Sequence, residues 1–270
     1  MKNHLKLASL VAAMSLSFGA NAGIVDLFST NQGLYTDSTT NAADTGLTIG
    51  TGVGGSINTA GTDILGGNRD MYVSMLTDGG NVFATAKIGV GGGIMNFSND
   101  AGATGRGQIQ WDGAANTDET IDFVGLGGID LTEGGALSAF ELDIVFADLG
   151  FNFELTAYTN ATDWTRVSLV SPGHPVPVTT TVPFTAFTTP FLCGVPNPAP
   201  GVLLITCGGA GADMTNIGAL VADIDRFGGT VSVDLRMNAA RTIPEPATLG
   251  LLGLGLLGMG ALVRRNKKQA

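Results

Sequence analysis

The sequence predicts an all-β protein, a jelly-roll-like two-sheet β-sandwich, on three observations. Apolar and polar residues alternate at period two along many short runs, glycine-rich turns separate those runs, and no long stretch repeats its apolar residues at helical spacing. Many short strands at close intervals make a sandwich or barrel the economical way to bury their apolar faces.

The chain begins with a different kind of segment. Lys2 and Lys6 give a positive start, residues 5–18 are largely apolar, and Ala20-Asn21-Ala22 is a small-x-small site. This layout predicts a secretory signal peptide over residues 1–22, cleaved between Ala22 and Gly23. The apolar run is short for a membrane span.

Strands are expected at residues 71–76, 82–88, 94–97 and 108–111. A later group is expected at 164–170, 183–187, 220–224 and 230–237. Between the groups, Phe140, Leu142, Ile144 and Phe146 alternate with Glu141, Asp143 and Val145. Phe151, Phe153, Leu155 and Ala157 do the same with Asn152, Glu154 and Thr156. Only Asp148-Leu149-Gly150 separates these two runs, so a hairpin is expected. Residues 36–60 read as a Gly/Thr-rich loop, and 172–200 as an irregular proline-rich stretch suited to edges and loops.

Cys193 and Cys207 are the two cysteines. In an exported protein they are expected to form a disulfide closing the loop between them. Two thiols with no histidine nearby make a weak metal site.

The C-terminus again changes character. Pro244-Glu245-Pro246 precedes residues 249–263, made only of Leu, Gly, Met, Ala and Val, and the chain then carries Arg264, Arg265, Lys267 and Lys268. A transmembrane helix over about residues 247–263 is expected, with the basic cluster on the cytoplasmic side. These three parts in this order resemble the PEP-CTERM sorting signal of Gram-negative bacteria, a tail also labelled an ice-binding protein C-terminal domain. The resemblance implies signal peptidase and exosortase as processing enzymes, an inner-membrane anchor before processing, and delivery to the cell surface or matrix, often alongside exopolysaccharide. The expected division is signal peptide 1–22, extracytoplasmic β-sandwich 23–242 and sorting tail 243–270.

The body has a second, fainter resemblance. Leu65-Gly66-Gly67-Asn68-Arg69-Asp70, Phe97-Ser98-Asn99-Asp100, Gln110-Trp111-Asp112-Gly113 and Leu126-Gly127-Gly128-Ile129-Asp130-Leu131 are similar to a pattern in bacterial exported proteins with interchangeable surface anchors. It implies a β-sandwich and no particular activity.

Without its two ends the chain keeps 7 basic against 22 acidic residues, a formal charge of −15. Such a surface repels nucleic acid. His174 is the one histidine outside the signal segment, and no G-x-S-x-G or H-E-x-x-H motif occurs. The G-x-G-x-x-G matches at residues 50–55 and 253–258 lack the strand–turn–helix setting of dinucleotide binding. No cofactor is expected. Structural calcium is the weak exception, with Glu141 and Asp143, or Asp223 and Asp225, as alternate strand residues presenting oxygens on one face. The opposing reading is a solvated acidic face. Trp111, Trp164, Tyr72 and Tyr158 are candidates for a sugar-stacking platform, with core packing as the opposing reading.

The expected function is a non-enzymatic exported surface or matrix protein, with glycan binding or adhesion as its candidate role. The alternative is a polysaccharide hydrolase using a carboxylate pair from among Glu119, Glu133, Glu141 and Glu154. Ice binding is more distant, because Thr179–Thr181 and Thr188-Thr189 are too irregular for a flat threonine face.

Overall fold

The computed structural model describes residues 23–38, 58–115 and 119–244. The signal-peptide residues, most of the Gly/Thr-rich loop, Glu245, Pro246, the apolar tail and its basic cluster lie outside the described residues. Among the described residues no helix is long and apolar enough to cross a membrane.

The described residues form two antiparallel sheets packed face to face. The chain order is β1 (Gly23–Asp26), β2 (Gln32–Asp37), β3 (Asn58–Ala60), β4 (Asn68–Thr77), β5 (Ala86–Gly91), β6 (Ile94–Asn99), β7 (Thr104–Trp111) and β8 (Ala139–Ala147). Then come β9 (Phe151–Tyr158), β10 (Trp164–Ser171), β11 (Val178–Pro183), the helical turn α1 (Thr185–Thr188), β12 (Pro196–Ala199), β13 (Val202–Gly208), β14 (Ala219–Ile224) and β15 (Asp234–Ile243). The seven-stranded sheet has the order β11-β8-β15-β6-β5-β2, with β1 also on β15; the eight-stranded sheet has β12-β13-β10-β9-β14-β7-β4-β3.

Alternation builds the core. Met71, Val73 and Met75 of β4, Ile109 and Trp111 of β7, and Phe153 and Leu155 of β9 point inward from the larger sheet. Ile88, Met95, Phe97, Phe140, Leu142 and Leu235 meet them from the other. Gly107 lets the sheets approach: a Cβ there would lie 2.9 Å from the Phe97 ring.

Several expectations need correction: the strand expected over 230–237 runs from Asp234 to Ile243, and the stretch 172–200 expected to be irregular holds β11 and β12. The runs on either side of Asp148-Leu149-Gly150 are β8 and β9, but they do not pair. β8 bonds to β11 and β15, and β9 to β10 and β14. Both runs carry a long apolar face, and placing them in opposite sheets buries both faces in one core. The short connection is therefore an arch, held by the Asp148 carboxylate accepting from the amides of Leu149 and Asp234, each at 2.8 Å. The strand expected over 82–88 starts only at Ala86, because two successive turns occupy 78–84. Residues 183–187 hold the end of β11 and then a helical turn whose Phe184 and Phe187 pack edge-on against Phe140 at 5.0 and 5.5 Å.

Residues from two of the motifs in the fainter resemblance, 65–70 and 110–113, meet in a buried framework with the first strands. Arg69 is fully buried and donates to both Asp26 oxygens (2.9 and 3.0 Å), to Gln32 (2.8 Å) and to the Thr30 carbonyl (2.7 Å). Asp26 also accepts from Trp111 Nε1 at 2.9 Å and from the Phe28 amide at 2.8 Å. Burial pushes the Asp26 carboxyl up, and Arg69, Trp111 and the Phe28 amide pull against it. Asn68 donates to the Gly113 carbonyl at 3.1 Å, and Gly113 adopts φ +74° where a Cβ would strike the Gly125 carbonyl. These motifs tie the first strands to the larger sheet.

Nearby, Asp63 accepts from the Ser29 amide (2.9 Å), the Ser29 hydroxyl (2.7 Å), the Thr30 amide (3.0 Å) and the Thr30 hydroxyl. Burial opposes ionisation, but the hydrogen bonds from Thr30 and Ser29 prevail and hold the carboxyl well below its ordinary range. A depressed carboxyl stabilises the fold above its unfolded pKa of about 3.9, and that contribution is lost as pH falls through the folded value. Asp63→Ala is expected to cost about 2–3 kcal/mol at pH 7. In urea titrations from pH 7 down to about pH 2 the difference from wild type narrows with acid. A constant difference across that range overturns the assignment.

Candidate functional site

The outward face of the eight-stranded sheet carries polar side chains in cross-strand register. Tyr72 of β4 lies opposite Gln108 of β7, Gln108 opposite Asp223 of β14, Asp223 opposite Glu154 of β9, and Glu154 opposite Ser168 of β10. Each is at most 9% exposed, unlike the solvated polar residues of an ordinary outer face.

A hydrogen-bond chain runs through this row. Gln110 Nε2 donates to Gln108 Oε1 at 2.7 Å, and Gln108 Nε2 donates to Asp223 Oδ1 at 2.8 Å. Glu154 accepts from the Ser168 hydroxyl at 2.8 Å and from Arg226 at 3.2 Å, with Arg166 at 3.5 Å. Burial pushes the Asp223 carboxyl up, against the Gln108 hydrogen bond and the charges of Arg226 and Arg166. Among the described residues, the buried Gln110 Oε1 and Ser74 Oγ on this face have no hydrogen-bond partner.

Residues 119–123 roof part of the face. The Glu119 carbonyl accepts from Gln110 at 3.1 Å, and Phe123 packs on Tyr158 at 5.0 Å between ring centres. Beyond the roof the face is more open. The Arg166 and Arg226 side chains keep 20% and 29% of their surface in solvent. Half-buried Trp164 lies 6.3 Å from Tyr158, with the Arg166 guanidinium 5.6 Å from its ring. At the other end Phe227 is exposed and Arg226 stacks on it at 5.7 Å. The open patch thus offers two guanidinium groups, a carboxylate and two aromatic rings.

The residues singled out from the sequence scatter around this patch. Trp164, Tyr158 and Tyr72 share its face, whereas Trp111 is in the core. Glu154 sits in the polar row, Glu133 is in an exposed turn, and Glu141 is on the other sheet. Glu141 and Asp143 do share a face, where both hold Arg241, at 3.6 and 2.7 Å. Asp223 and Asp225 are not brought together. β14 ends at Ile224, and Asp225 turns to φ +46°, where its carboxylate accepts from the Gly229 and Thr230 amides. Among the described residues no three His, Cys, Asp or Glu side chains gather as metal ligands. Cys193 and Cys207 form a disulfide. Gln108, Gln110, Arg166 and Arg226 were missed in sequence. Their signal was the period-two spacing of Gln108 with Gln110, which reads as an ordinary strand face.

The molecule is thus an exported-type β-sandwich whose last strand runs straight into its C-terminal tail. That tail is a PEP-CTERM protein-sorting motif, matched over residues 242–266, and it implies export with anchoring and later processing. No curated protein matches the chain. Among solved structures, a family 11 carbohydrate-binding module of the cellulosomal cellulase Lic26A-Cel5E of Clostridium thermocellum is similar at 12% identity and TM-score 0.38. The match covers 84% of this chain and 96% of that one. PfGH50B (10%, TM-score 0.36) covers 60% of this chain, and an exo-β-agarase (10%, TM-score 0.37) covers 66%. This chain spans 22% and 23% of those two proteins.

Proposed function

We propose that this is a non-enzymatic surface or matrix protein that binds glycan on the outer face of the eight-stranded sheet. The observation that carries the reading is the buried polar row Gln108–Asp223–Glu154–Ser168, open beside Arg166, Arg226 and the Trp164 ring. Sugars present hydroxyls at fixed spacing and apolar ring faces. A preorganised set of donors and acceptors beside an aromatic ring matches both features, and binding sites typically combine them. The sorting motif supports delivery to the surface or matrix of a Gram-negative cell after exosortase processing. The repeated passage of the chain between its sheets supports a jelly-roll description of the sandwich.

A glycan array probed with the exported protein is expected to show binding that falls at least tenfold with Trp164→Ala. Asp223→Asn is expected to weaken binding while stabilising the fold by about 1 kcal/mol at pH 7, as replacements at strained functional sites commonly do. The sign follows from burial. A carboxyl raised in the folded state binds more protons than in the unfolded state, so its contribution to stability declines as pH rises above about 4. The asparagine variant therefore gains most at neutral pH. Array binding unaltered by both variants removes this face from the reading.

The direct opposition of Asp223 and Glu154 supports a second reading, a polysaccharide hydrolase with Asp223 as general acid. Reducing ends released from a bound glycan, and lost with Asp223→Asn, would select it over simple binding.

A further inference from the structure

The two sheets part along one edge of the sandwich, and the space between them is a cavity of about 340 Å³. Leu142 and Ile144 of β8 line it from one sheet, and Phe153 and Ile205 from the other, all buried. Ala186 of α1 and Leu192 cover it, and the Cys193–Cys207 disulfide ties this cover to β13. A side chain's hydrogen-bonding needs do not explain the space, because its floor is apolar. An enclosed apolar cavity of about 150 Å³ stays dry and takes up benzene, so this one has room for on the order of twelve carbon atoms.

The mouth has a different chemistry. Half-buried His174, paired with Ala147 at one end of β8, is the one titratable side chain in the lining. His174 is fixed there by a reciprocal backbone bridge to Ala147, at 2.6 and 2.9 Å. No Asp or Glu lines the cavity, although acidic residues outnumber basic ones 23 to 13 in the chain. An apolar bore with one imidazole at its end, and no carboxylate in its lining, suits a ligand with an apolar tail and an anionic head. We infer that this cavity binds a single-chain carboxylic amphiphile of the fatty-acid class, its tail between the sheets and its carboxylate beside His174. The site is separate from the glycan face and stands without it.

The test is thermal unfolding of the full chain with dodecanoate below its micellar concentration or dodecanol below its solubility limit. Wild type is expected to gain about 5 °C in Tm at a ligand concentration near 100 times Kd. Ala186→Trp and Val202→Phe, which fill the cavity, abolish the gain. Every variant carries the same apolar tail segment, so lipid taken up there cancels in the comparison, and two filling variants guard against misfolding of one. Wild type prefers dodecanoate over dodecanol about tenfold, and His174→Ala removes the preference. No shift with either ligand, or an unchanged shift in both filling variants, overturns the cavity as the site. Equal affinity of wild type for the acid and the alcohol overturns the carboxylate assignment.

Discussion

Arg69→Met is expected to lower the unfolding free energy by about 3–5 kcal/mol, read as a lower urea midpoint at unchanged slope. The magnitude comes from what remains behind. Asp26 and Arg69 are both fully buried, so their attraction offsets a large desolvation cost, and removing the guanidinium leaves a carboxylate in the core. Gln32 and the Thr30 carbonyl also lose the donor that satisfies them. Adding Asp26→Asn is expected to restore much of the loss, because a neutral amide oxygen still accepts from Trp111 without a buried charge. A double variant as unstable as Arg69→Met alone would mean that the loss comes from packing around Phe28, whose ring lies 5.6 Å from the guanidinium.

Replacing both cysteines by serine is expected to cost about 3 kcal/mol, from the unfolded-chain entropy released when a loop of this size opens. The sequence separation is 14 residues. The loss has a local component as well. The cysteine pair clamps the segment holding α1, the Leu192 turn and β12 against β13. Within it Pro196 and Pro198 lie on β12, an edge strand with few ladder bonds of its own. Hydrogen exchange should therefore quicken between residues 185 and 201 more than in β9 or β14. Uniform acceleration across both sheets would show that the bridge acts only on the unfolded chain.

Period-two alternation made most of the sandwich legible, because a strand covered by one core must alternate. The errors arose where alternation does not distinguish its causes. The β8 and β9 runs alternate identically whether they pair within a sheet or face each other across a core, and a short connection serves either geometry. The proline and threonine content of residues 178–200 hid β11 and β12, which are edge strands and so tolerate residues that a central strand excludes. The proposed binding face was obscure for a related reason. Gln108, Asp223, Glu154 and Ser168 are spread over some 115 residues of sequence, and only strand order brings them into one row. The tail needed no folding argument, since its three parts are contiguous.

β1 begins at Gly23, opposite Thr242 near the end of β15, and the matched sorting motif starts at that same residue 242. This pairing has a mechanical consequence. A pull through the tail enters the domain at Ile243, the end of an interior strand bonded to β8 on one side and to β1 and β6 on the other. Tension along that strand loads its flanking hydrogen bonds in shear, many at once, whereas tension on an edge hairpin would peel them one pair at a time. While held by its tail, a domain built this way resists drag at the point where the load enters.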